Sequence, residues 1–271
     1  MSDFGARLAA AFHTHGRLCV GIDPHEALLA EWGLPESAAG AREFGLRTVD
    51  AAAGRVGIVK PQVSFFERHG SAGFAALEDV LAAARAAGLL VIADAKRGDI
   101  GSTMDAYGRA WLTPGSPLEA DALTVSPYLG VGALSGTFDV AAQHGKGLFV
   151  LAATSNPEGA VLQSAAAGER TVAAQVAAEV GERNGGAQLG SFGLVVGATL
   201  DRGAFGLTDE VLSGTPILAP GFGFQGARPA DLGRLFDAVA VNVVASESRS
   251  ILSAGPEGIS ARIAERAALY A

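Results

Sequence analysis

Residues 89–99 read Leu-Leu-Val-Ile-Ala-Asp-Ala-Lys-Arg-Gly-Asp, and this stretch sets the reading of the whole chain. An unbroken apolar run of strand length, with no polar alternation, implies burial on both faces; it then stops abruptly in charge. The same form recurs. Apolar runs lie at Leu18–Ile22, Val56–Val59, Leu89–Ala93, Ala122–Val125, Gly147–Ala152, Gly193–Val196, Ile217–Ala219 and Ala238–Val244. Between them stand Ala-, Leu-, Glu- and Arg-rich stretches that favour helix, at Ala41–Ala53, Phe74–Ala87, Ser102–Leu112, Val131–Gln143, Arg170–Arg183 and Pro229–Phe236. A last helix is expected over Ile259–Leu269, and Ser102 followed by Asp105 resembles a capping box. Eight strands alternating with helices over ~250 residues predict an α/β fold, the parallel (β/α)8 TIM barrel. A doubly wound open sheet is the runner-up. No Gly/Pro/Ser-rich linker or shift in composition interrupts the pattern, so residues 1–271 are expected to form a single domain.

Composition agrees with a folded chain and narrows its partners. Of 271 residues, 49% are hydrophobic and 18% charged, which is globular rather than disordered. A formal charge of −8 argues against a general nucleic-acid or anionic-membrane surface while leaving room for a local basic pocket. The single cysteine, Cys19, excludes an internal disulfide and fits a reducing cytoplasm. The five histidines form no HExxH and there is no CxxC, so no metal site is expected from those spacings. No apolar run approaches the ~18 residues of a membrane span, and the N-terminus does not read as a targeting signal.

In a barrel of this kind the active site lies on the loops that follow the strands. The polar residues at those points are Asp23, Lys60, the Asp94–Asp99 segment, Ser155-Asn156, the Pro220–Gln225 segment and Arg249. Each has a bland reading: Asp23 as a turn cap, Lys60 as a snorkelling side chain, Gly221-Phe222-Gly223 as a tight turn, Arg249 as half of a surface ion pair. Their convergence on one rim is harder to dismiss. The strongest signal is Asp94-x-Lys96-x-x-Asp99. The two-residue strand period sends Asp94 and Lys96 to one side, where a carboxylate beside an ammonium suits proton delivery to a developing carbanion. The second signal is a glycine-rich turn, Gly221–Gly226, whose N–H groups suit an anion, with Gln225 and Arg249 adding donors.

The segment Asp94-Ala-Lys96-Arg-Gly-Asp99-Ile-Gly-Ser-Thr103 resembles the signature of orotidine 5′-phosphate decarboxylases, the longer bacterial subgroup in particular. So do Lys60-Pro61-Gln62, Thr124-Val-Ser-Pro-Tyr-Leu-Gly130 and Val196-Gly-Ala-Thr199, all in the expected order. The resemblance implies a dimeric (β/α)8 barrel. It implies that Lys60, Asp94 and Lys96 form three members of an alternating-charge tetrad, with Asp99 supplied as the fourth by the opposite subunit. Asp23 and Lys60 then match ribose contacts, Thr103 a contact across the dimer, Ser155 a hydrogen bond to the pyrimidine, and Gln225 and Arg249 the phosphate grip. Two residues depart from the pattern: Phe224 is bulky beside the phosphate loop, and Glu247 brings negative charge two residues before Arg249.

The implied reaction is loss of CO₂ from C6 of orotidine 5′-phosphate to give uridine 5′-phosphate in pyrimidine synthesis, without metal or organic cofactor. Lys96 would stabilise and protonate the C6 carbanion. The alternatives are a sugar-phosphate decarboxylase or epimerase that needs a divalent metal, a Schiff-base aldolase using Lys60 or Lys96, and a non-catalytic nucleotide-binding barrel.

Overall fold

The computed structural model describes residues 3–271. Its strands are β1 (Leu18–Ile22), β2 (Ile58–Pro61), β3 (Leu90–Arg97), β4 (Ala122–Val125), β5 (Gly147–Ala153), β6 (Phe192–Val196), β7 (Ile217–Pro220) and β8 (Val243–Glu247). All eight pair in parallel with their neighbours in chain order. The barrel closes where β8 meets β1, with Leu18 opposite Ala245. It is the (β/α)8 barrel expected from the strand pattern, not the open sheet.

Strand alternation divides the core into two layers. Val20, Val59, Val91 and Ala93, Leu123 and Val150 face outward, where helices such as Ala38–Ala52, Gly70–Ala86 and Val172–Arg183 cover them. Cys19, Ile58, Leu90, Ile92, Phe149, Leu218 and Val244 face the lumen. The helix Phe4–His15, absent from the sequence reading, plugs the N-terminal end of that lumen with Phe4 and Leu8. A Cβ on Gly147 would come within 2.4 Å of the Phe4 ring, which is why that strand must start with glycine. Apolar side chains fill the lower lumen, and the lumen's polar groups Lys60 and Asp94 stand at the mouth formed by the strand C-termini.

Three local expectations are corrected. The last strand is Val243–Glu247 rather than Ala238–Val244, because Asp237–Asn242 forms a 3₁₀ turn. Strand β2 starts at Ile58, so Lys60 lies inside it instead of following it. Ser102 is no cap: its helix runs Gly101–Leu112 from Ile100, without a side-chain cap, and Asp99 accepts the Ile100 N–H at 2.8 Å. A short helix, Pro157–Gln163, and a two-stranded hairpin, Ala166–Ala167 with Arg170–Thr171, also follow β5 and were not anticipated. No helix among the described residues is long and apolar enough to cross a membrane.

Candidate active site

The mouth encloses a cavity of about 460 Å³ lined by residues from several strand ends. Its floor is built by continuing the lumen-facing alternation upward. Lys60 follows Ile58 on β2, Asp94 follows Ile92 on β3, and Thr124 follows Ala122 on β4, each two residues on. Lys60 and Asp94 are buried, and Lys60 Nζ lies 2.8 Å from Asp94 Oδ2. Thr124 donates its hydroxyl to Asp94 Oδ1 at 3.0 Å.

Lys96 reaches the same carboxylate differently from the simple alternation expected. The β3–β4 register shifts between Ala93 and Arg97, and Lys96 has φ +49°, a left-handed conformation that a side-chain-bearing residue seldom adopts. Its N–H is anchored on Thr124 Oγ1 at 2.9 Å. The bulge turns Lys96 Nζ back to 2.6 Å from Asp94 Oδ1 and 3.4 Å from Gln62 Oε1. One carboxylate therefore holds two ammonium groups, one on each oxygen.

The electrostatics follow from that arrangement. Burial acts to raise the Asp94 pKa, but Lys60 and Lys96 together hold its carboxyl well below the usual range. Burial likewise opposes charge on Lys60; Asp94 and Asp23 outweigh it and hold the ammonium above its ordinary value. Asp23, just past β1, accepts the Ser248 hydroxyl on Oδ2, while its Oδ1 is buried without a partner. An unpartnered carboxylate oxygen at a cavity wall calls for a donor from outside the chain.

The opposite wall carries the expected anion-binding groups. Gln225 and Arg249 both line the cavity beside Gly221. Arg249 makes no ion pair among the described residues; its guanidinium lies 4.3 Å from the centre of the exposed Phe224 ring. Phe224 thus flanks the cation rather than blocking the loop. Glu247 does not face the cavity, so the negative charge expected beside the phosphate grip points outward, to Arg266. Ser155, exposed after β5, lines the mouth between the two walls.

Asp99 and Thr103 are the expected site residues that the chain does not bring to this cavity. Asp99 lies in the loop after β3, and Thr103 is exposed in the first turn of the following helix. Conversely, the cavity includes Gln62, His25, Phe65, Ser246 and Ser248, which the sequence reading did not assign. Gln62 and Thr124 sit within quoted motifs at strand ends and were open to assignment on that ground. Ser246 and Ser248 were hidden by the displaced last strand. Among the described residues, no three His, Cys, Asp or Glu side chains cluster so as to hold a metal ion.

Comparison with known proteins bears on this geometry. Residues 16–262 match the model of the orotidine 5′-phosphate decarboxylase / HUMPS family. The chain belongs to that family. Its sequence is 54% identical over 266 residues to the orotidine 5′-phosphate decarboxylase of Streptomyces coelicolor, covering 97% of this chain and 95% of that one. Identity to the Salinispora arenicola enzyme of the same name is also 54%, with the same coverage. A Streptomyces avermitilis crystal structure superposes with a TM-score of 0.95 at 50% identity, over 100% of this chain and 95% of that chain. The Leishmania donovani OMP decarboxylase superposes at 0.78 with 31% identity, over 100% and 99% of the two chains.

Proposed function

We propose that this chain, working as one barrel domain in the cytoplasm, decarboxylates orotidine 5′-phosphate to uridine 5′-phosphate and CO₂ for pyrimidine synthesis. The observation that carries the reading is the pair of ammonium groups fixed on Asp94 at the cavity floor, 2.8 and 2.6 Å from its two oxygens. Lys60 is enclosed, whereas Lys96 leaves 44% of its side chain exposed at the mouth. That difference favours Lys96 over Lys60 as the cation that meets a ring seated in the cavity.

In this reading the 5′-phosphate sits against Arg249, Gln225 and the glycine turn, the ribose hydroxyls against Asp23 and Lys60, and the pyrimidine against Ser155. The C6–carboxylate bond then points at Asp94. Its cleavage releases CO₂ and leaves the bonding pair on C6. Lys96 stabilises that pair with its positive charge and delivers a proton to C6, then regains one from water. Asp94, held ionised, repels the substrate carboxylate and fixes Lys96 for the transfer. Binding energy from the remote phosphate holds the ring in this register in the bound substrate and in the transition state alike. The positive charge the step requires comes from a side chain, so no metal or organic cofactor takes part.

The test is loss of orotidine 5′-phosphate absorbance with purified protein dialysed against EDTA. Turnover that survives chelation is expected. Activity that vanishes and returns with Mg²⁺ or Zn²⁺ would favour a metal-dependent sugar-phosphate enzyme instead.

The site is completed by a second copy of the chain, which brings Asp99 and Thr103 to it. Exposed Ile100, Tyr128 and Leu129 lie on the adjoining loops, where Ser126 N–H donates to the Arg97 carbonyl. Such a face suits burial against a partner. Mixing Lys96→Ala and Asp99→Ala chains should restore roughly a quarter of wild-type activity, because half of the randomly formed dimers carry one intact site. If mass spectrometry shows mixed dimers and the activity stays at the parental level, the shared site is wrong.

A further inference from the structure

The Glu247 carboxylate is fully enclosed on the outer side of the barrel, and it is among the most densely hydrogen-bonded carboxylates in the chain. Strand alternation puts Val244 and Ser246 toward the lumen and Glu247 on the opposite face of β8, behind the cavity wall. Arg266 Nε lies 2.9 Å from its Oε2 and 3.1 Å from its Oε1, and Arg266 Nη2 also donates to Oε1. The Tyr270 hydroxyl donates to Oε1 at 2.6 Å, and the Ser250 hydroxyl to Oε2 at 2.6 Å. The proposed chemistry uses none of these groups.

Their connections all lead to the anion-binding wall. Ser250 is the neighbour of Arg249, and Arg262, on the C-terminal helix Gly255–Ala267 that also carries Arg266, grips the Ser250 carbonyl at 2.9 Å. The Tyr270 ring packs edge-on against Phe222 in the glycine turn, with centroids 5.7 Å apart. Gly223 rests directly on the cluster: a Cβ there would fall 2.5 Å from Ser250 Oγ and 2.9 Å from Glu247 Oε2. The two segments that carry Gln225 and Arg249 are thus seated on one ion pair, whose buried carboxylate, Glu247, ends β8 and whose cation, Arg266, comes from the C-terminal helix.

Resting on the proposed function, we infer that Glu247, Arg266 and Tyr270 are positioning residues for the 5′-phosphate: they set Arg249 and the Gly221–Gly226 turn at the spacing the phosphate needs. Their loss loosens the phosphate grip and leaves the proton transfer at Lys96 intact. A merely structural anchor would instead weaken all ligands alike, or none.

The test uses Tyr270→Phe, which removes one hydroxyl, and Glu247→Gln, which keeps the shape, each checked for fold by circular dichroism. Both should raise KM for orotidine 5′-phosphate and Kd for uridine 5′-phosphate by ~5- to 10-fold, the scale of a lost hydrogen bond, with kcat within ~2-fold. Affinity for uridine, which lacks the phosphate, should not change. In an Arg249→Ala background, Tyr270→Phe should add less than ~2-fold, because its effect runs through that arginine. An equal loss on uridine and uridine 5′-phosphate, the same factor in both backgrounds, or unchanged uridine 5′-phosphate binding by folded variants would each overturn the inference. Wild-type protein that failed to convert orotidine 5′-phosphate would overturn the proposed function before any variant was made.

Discussion

The two ends of the barrel each bury an aspartate between two cations. Asp94, at the C-terminal mouth, holds Lys60 and Lys96; Asp121, just before β4 at the opposite end, holds Arg7 and has Lys146 3.7 Å away. The two carboxylates are almost equally enclosed, at 7% and 6% exposure. Yet the partners at the lower end are already spoken for. Lys146 binds Glu119 at 2.7 Å, Arg7 also reaches the Gly145 carbonyl at 2.8 Å, and Asp121 accepts the Val91 N–H at 2.9 Å. The contrast lies in the free cation: the Lys146 side chain is 7% exposed and that of Lys96 is 44% exposed. The upper cluster adjoins the cavity, and there a backbone bulge turns an ammonium toward it. A buried carboxylate between cations is therefore a fastener by default. In the proposed function it serves as a reaction centre because one cation is left facing a space that substrate can fill.

The largest stability effect expected from this comparison is at the lower end. Asp121→Ala leaves Arg7 and the Val91 N–H without their carboxylate and should cost ~3–5 kcal/mol, read as a lower urea midpoint. Turnover per folded molecule should match wild type. A tenfold or greater drop in that quantity would show that the two clusters are not functionally separate.

A smaller effect concerns acid. Because the Asp94 pKa is depressed on folding, its charge contributes stability that is fully present above the unfolded value of ~4 and is lost as pH falls through the folded value. The stability gap between wild type and Asp94→Asn should thus hold steady from neutral pH down to ~5 and narrow below ~4. Urea midpoints measured across that range check the sign, and a gap that widened on acidification would refute it.

Much of the upper cluster was legible because the relevant strands are uninterrupted apolar runs that end in charge. Leu89–Ala93 followed by Asp94 and Lys96 announced both the strand and the charged cluster at its end. What was not legible depended on tertiary context. Ala238–Val241 is as apolar as a strand but turns through a 3₁₀ segment, and Asp237 enters it at φ +45°. Composition cannot separate those cases for so short a run. That misplacement hid Ser246 and Ser248 and left the orientation of Glu247 unread. The Lys96 bulge was likewise invisible, since period-two reasoning reached the right neighbour of Asp94 by the wrong backbone path. The plugging helix Phe4–His15 drew no attention because its apolar residues matter only against the lumen they fill.

The central claim is that the Lys96 ammonium, and not merely a residue of its size, performs the proton transfer. Lys96→Cys treated with 2-bromoethylamine tests it, because alkylation restores an ammonium at nearly the original reach. The natural cysteine does not interfere: Cys19 is fully buried, and burial pushes its thiol up to about 12. Lys96→Cys should lose at least ~10³-fold in conversion of orotidine 5′-phosphate, and aminoethylation should recover at least ~10-fold of that loss. Unmodified Lys96→Cys that turned over within ~10-fold of wild type would contradict the claim and move the proton donor elsewhere.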